Sequence, residues 1–104
     1  MKPCPLYPDI GYLFVDPQDL GDGFVNSHAF AVFGEGIDEP FIIIDRSILD
    51  EDWCSLDHIL VIMAHELGHI LSRSEDEELA DLLGMTLLYS LGYEDAHDLH
   101  RAEY

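Results

Sequence analysis

One stretch, Leu56–Leu71, constrains this chain more than any other. Leu56, Ile59, Leu60, Val61, Ile62, Met63, Ala64, Leu67, Ile70 and Leu71 make it apolar on most sides, with no Gly or Pro before Gly68. That pattern predicts a buried helix. Ser55 supplies an N-cap and Asp57 an acid in the first turn. Set into the helix are His65, Glu66 and His69. Buried polar groups cost free energy unless each finds a partner. A fold that buries this helix must therefore pair two imidazoles and a carboxylate.

The spacing suggests the partner. Residues four apart lie one turn above each other on one face of a helix, so His65 and His69 can share one metal ion. Glu66 sits about 100° round from His65, in reach of a water beside the metal rather than the metal itself. Two imidazoles and a neighbouring carboxylate are what zinc-assisted hydrolysis requires, with Glu66 as the catalytic base and then acid.

A catalytic zinc takes three protein ligands and keeps one position open. The acidic cluster Glu75, Asp76, Glu77, Glu78 begins six residues after His69 and opens the next predicted helix. Ser74 reads as its N-cap with Glu77 at N3, a capping box. The helix runs through Leu79, Leu82, Leu83, Met85, Thr86, Leu87 and Tyr89 to about Leu91, and Gly92 closes it. Asp81 follows Glu77 by one turn. Glu77 can then meet the metal while Asp81 accepts a hydrogen bond from a ligand imidazole. Glu78 is the alternative third ligand. Tyr93, His97, His100 and Tyr104 are candidates for an oxyanion donor, and spacing selects none of them.

Upstream, residues 1–9 form a lead punctuated by Pro3, Pro5 and Pro8, expected to lie extended over the domain. Strands are expected at Ile10–Val15, Phe24–Phe33 and Phe41–Ile44, the last buried on both faces. Polar residues within the second, Asn26 and His28, place it at a sheet edge or beside a site. One helical turn is expected at Ser47–Leu49, and a short helix at Glu94–His100.

With 104 residues the chain makes one small domain with one core. Its 22 acidic residues against four basic ones, a net charge of −18, argue against nucleic acid or an anionic membrane as a partner. They favour a cationic or neutral substrate. No apolar run is long enough to span a bilayer. The Met-Lys-Pro-Cys-Pro start lacks a signal core, so a cytoplasmic location is expected, with Cys4 and Cys54 as reduced thiols.

His65-Glu66-Leu67-Gly68-His69 followed by Glu77-Glu78-Leu79-Ala80-Asp81 resembles the signature of the gluzincin metallopeptidases, His-Glu-x-x-His then Glu-x-x-x-Asp. The stretches Val25–Ala31 and Phe41–Leu49 are similar to the edge strand of that family and the strand after it. The size resembles the soluble minigluzincins, the selecase-like group. The likeness covers roughly residues 23 to 92.

It implies an α+β fold: a three-stranded, mostly antiparallel sheet packed on an active-site helix and a glutamate helix, then a short C-terminal helix. It implies one catalytic Zn2+ held by His65, His69 and Glu77, with Glu66 as general base. It implies a peptide or protein substrate bound along the edge strand at Asn26, Ser27, His28, Ala29 and Phe30. The tail, residues 93–104, would fold back over the zinc and keep the enzyme latent, and self-association is compatible with this reading. Two readings from other classes stand beside it. One is a catalytically silent, zinc-stabilised regulatory module. The other is an acidic decoy that mimics nucleic acid.

Overall fold

A computed structural model describes residues 2–16, 18, 28–96 and 99. The architecture is α+β. Strands β1 (Lys2–Cys4), β2 (Tyr7–Val15), β3 (Ala29–Val32) and β4 (Phe41–Asp45) form one sheet in the order β1-β2-β4-β3. A 3-10 turn (Arg46–Asp50) leads from β4 towards helix α1 (Leu56–Ser72), and helix α2 (Glu77–Ser90) packs beside it.

The sheet corrects the expected three-stranded, mostly antiparallel arrangement. Four strands are present, and β2 and β4 are parallel, with Gly11 opposite Phe41 and Val15 opposite Asp45. The other two pairs are antiparallel. The additional strand is the proline-rich lead. Pro3 pairs with Gly11 at the edge of the sheet, where a residue lacking an N–H is tolerated, and the register slips between Pro3 and Cys4. Its burial explains why it pairs: the Cys4 side chain is fully enclosed and Leu6 nearly so.

The core lies between one face of the sheet and α1. Ile10, Ala29, Ile42 and Ile44 meet Leu60, Met63, Ala64, Leu67 and Ile70. Strand β4 is fully buried at Ile42 and Ile44 and only half-buried at Phe41 and Ile43, so one of its faces is sealed rather than both. The expected helical turn before α1 is present. Ser55 caps α1 as expected, within a capping box closed by His58.

Both helices end on left-handed residues. Arg73 (φ 54°) ends α1, with Arg73 N–H bonded to Ile70 C=O and Ser74 N–H to His69 C=O. Gly92 (φ 84°) ends α2 through Gly92 N–H to Tyr89 C=O and Tyr93 N–H to Leu88 C=O. Each is a Schellman turn. Cys4 and Cys54 are free thiols. Among the described residues no helix is long and apolar enough to cross a membrane.

Candidate metal centre

Two small-residue pairs, Ala64/Gly68 on α1 and Ala80/Gly84 on α2, set how closely the helices approach. A Cβ on Gly68 would lie 2.7 Å from Cα and carbonyl carbon of Ala80; one on Gly84 would lie 2.6 Å from the Ala64 oxygen. These helices touch backbone to backbone. Glu77, Ala80, Asp81 and Gly84 share one face of α2. That contact therefore carries Glu77 and Asp81 up against His65 and His69.

The start of α2 differs from expectation. Asp76, not Ser74, is its N-cap: Asp76 Oδ1 accepts from the N–H groups of Glu78 (2.9 Å) and Leu79 (3.2 Å). Ser74 Oγ instead accepts from Asp76 N–H at 3.1 Å. Asp is as good a cap as Ser, and the Schellman turn at Arg73–Ser74 already engages Ser74. As a result the Glu77 carboxylate is released from capping.

Both imidazoles are oriented through Nδ1. His65 Nδ1 donates to Asp81 Oδ1 at 2.5 Å, and His69 Nδ1 donates to the Ser74 carbonyl at 2.8 Å. Carbonyl and carboxylate oxygens only accept, so each Nδ1 carries a hydrogen and each Nε2 is turned inward. The two Nε2 atoms are 3.2 Å apart. Glu77 brings Oε2 to 2.7 Å from His65 Nε2 and Oε1 to 3.3 Å from His69 Nε2.

Two unprotonated Nε2 atoms and a carboxylate facing one another repel unless a metal ion, or a proton on Nε2, lies between them. Two nitrogens bound tetrahedrally at about 2.05 Å would stand roughly 3.3 Å apart, close to the separation seen. His65, His69 and Glu77 thus form a cluster that can hold a metal ion. Glu78, the alternative ligand, is exposed and outside it. His69 is buried and stacks on Phe33 at 6.5 Å, whereas the Glu77 side chain is 73% exposed. One side of the cluster is therefore open.

It opens into a cleft of about 680 Å³ between α1 and β3, lined by Ala29, Phe30 and Ala31 opposite Val61, Ile62 and Glu66. Strand β3 is the edge of the sheet. Burial pushes the Glu66 carboxyl up from 4.5 to about 7, the imidazoles pull it down, Glu77 adds to the rise, and a backbone hydrogen bond at Ala31 lowers it. For His65, burial disfavours the charged ring. The Asp81 hydrogen bond and the carboxylates of Asp81, Glu66 and Glu77 outweigh that and raise its pKa above 6.5.

Of the expected substrate contacts, His28, Ala29 and Phe30 line the cleft. Asn26 and Ser27 lie outside the described residues, as do His97, His100 and most of the tail 93–104 expected to fold back. Tyr93 packs against the core and is not among the cleft-lining residues. Sequence reasoning missed Phe33, Glu75 and the two glycine contacts. The signal for the contacts was present: small residues four apart on each of two consecutive helices.

No model of a known protein family, no curated protein and no solved structure matches the chain.

Proposed function

We propose that the protein is a zinc-dependent peptidase. The observation that carries this reading is the convergence of His65 Nε2, His69 Nε2 and a Glu77 oxygen at the mouth of a cleft, with Glu66 beside them. Two imidazoles and one carboxylate are a donor set suited to zinc, with one side left open. Zinc bound there supplies an electrophile that acidifies water and polarises a carbonyl.

The chain's own residues do the rest. The edge of β3 binds the substrate as an added strand beside the cluster. Glu66 takes a proton from the attacking water and passes it to the leaving amine. A carboxylate placed beside the attacking water acts as general base and then as general acid. Asp81 and the Ser74 carbonyl keep the imidazoles in one tautomer and orientation. The net charge of −18 favours cationic or neutral peptides over nucleic acid.

The test is turnover of a generic peptide by the zinc-loaded protein and its Glu66→Gln variant. A peptidase loses about 10²–10⁴-fold while keeping its zinc. The same cluster also ties α1 to α2, which favours a second reading, a catalytically silent zinc-stabilised module. In that case Glu66→Gln changes nothing beyond stability, and no peptide is cut by either protein.

A further inference from the structure

The cleft has two chemically different ends, and the packing of β3 on α1 sets their order. His28, just before β3, lies 5.2 Å from the Trp53 ring, which lies 5.6 Å from His58 in the first turn of α1. Phe33, just after β3, stacks on His69 in the last turn. Strand and helix therefore run side by side in the same direction. Val61 and Ile62 line the cleft near its His28 end, His65 and Glu66 its middle, and Glu75 its Phe33 end.

Charge is distributed just as unevenly. No lysine or arginine lines the cleft among the described residues. Glu77 and Asp81 face the imidazoles, and Glu66 is half-buried. Glu75 is exposed and follows directly on the Schellman turn, so its carboxylate stands at the rim, and no ion pair holds it among the described residues. A peptide added antiparallel to β3 runs from the Phe33 end towards the His28 end. Its amino-terminal part then passes Glu75, and its carboxy-terminal part passes Val61 and Ile62.

We infer that Glu75 selects substrates bearing a cationic nitrogen on the amino side of the scissile bond. This rests on the peptidase reading above and adds the substrate class to it. The cation is an alkylammonium or guanidinium group, from a lysine or arginine side chain or from a free α-amine.

The experiment uses the zinc-loaded full chain and paired peptides with Lys, Gln or Glu on the amino side of the bond, each with a free or acetylated N-terminus. Lys should exceed Gln about fivefold in kcat/KM, and the margin should shrink in high salt. Glu75→Gln should abolish it and Glu75→Lys should reverse it. A Lys-over-Gln margin that persists when both peptides are acetylated identifies the side chain as the source; a loss on acetylation that is equal for the Lys and Gln peptides identifies the α-amine.

Selectivity unaltered in Glu75→Gln, or lying on the carboxyl side of the bond, overturns the inference and leaves the peptidase reading intact. If no peptide is cut, the peptidase reading fails. Binding of the same peptides to zinc-loaded Glu66→Gln then decides about Glu75 separately: equal affinity for the Lys and Glu peptides overturns its role, and a Lys preference lost in the Glu66→Gln, Glu75→Gln double variant upholds it.

Discussion

Gly68 of α1 lies against the backbone of Ala80 of α2, with no room for a Cβ between them. The contact stands one turn from His65 and one turn from Glu77, so it sets the distance across which a metal ion would be held. Gly68→Ala should force the helices apart. Overpacking of this kind typically costs about 1–3 kcal/mol, or a fall of roughly 4–20 °C in melting temperature for a domain of this size. Thermal unfolding checks the loss. Zinc affinity should fall with it, and Gly84→Ala, facing Ala64, should behave alike.

Asp81 fixes His65 without belonging to the ligand set. Asp81→Asn would leave the helix contact unchanged and remove the charge that orients the ring. Zinc affinity should drop about 10–100-fold, measured by competition with a chromophoric chelator, while circular dichroism stays as in the parent.

Asp76 caps α2 and thereby frees Glu77. Asp76→Ala should cost about 1 kcal/mol of stability, read from denaturant unfolding. It should also weaken zinc binding, because Glu77 stands in the first turn and frays with it. Ser74→Ala, by comparison, should cost less than Asp76→Ala, since Ser74 is not the cap.

The pH dependence of the metal-free protein follows from Glu66 and His65. Both have folded-state pKa values above their ordinary ones. A group raised in this way contributes stability that is full below its unfolded pKa and is lost as pH rises through the folded one. For Glu66 the window runs from 4.5 to about 7. The loss across it is on the order of 2–3 kcal/mol, with His65 adding a further decline at higher pH. Urea unfolding at a series of pH values should show it, and Glu66→Gln should flatten the part below about 7.

Much of the candidate site could be read from the chain because it depends on local geometry. His65, Glu66 and His69 are placed by helical spacing, and Glu77 and Asp81 by one further turn. The α2 cap was misassigned because Ser74 and Asp76 are chemically equivalent caps. Only the tertiary use of Ser74, whose carbonyl meets His69, separates them. The β1 strand was hidden by Pro3 and Pro5, which argue against a strand except at a sheet edge, and edge position is a property of the whole sheet. The parallel pairing of β2 with β4 is equally non-local. The lining role of Glu75 depends on where the turn after α1 points, which no periodicity reports.

The most direct test of the metal centre is anomalous diffraction at the zinc edge from crystals grown with zinc. A single peak should lie about 2.0–2.2 Å from Nε2 of His65, Nε2 of His69 and a carboxylate oxygen of Glu77, with one side facing the β3 cleft. A saturated crystal with no peak there, or with the two Nε2 atoms turned away from each other, would contradict the account.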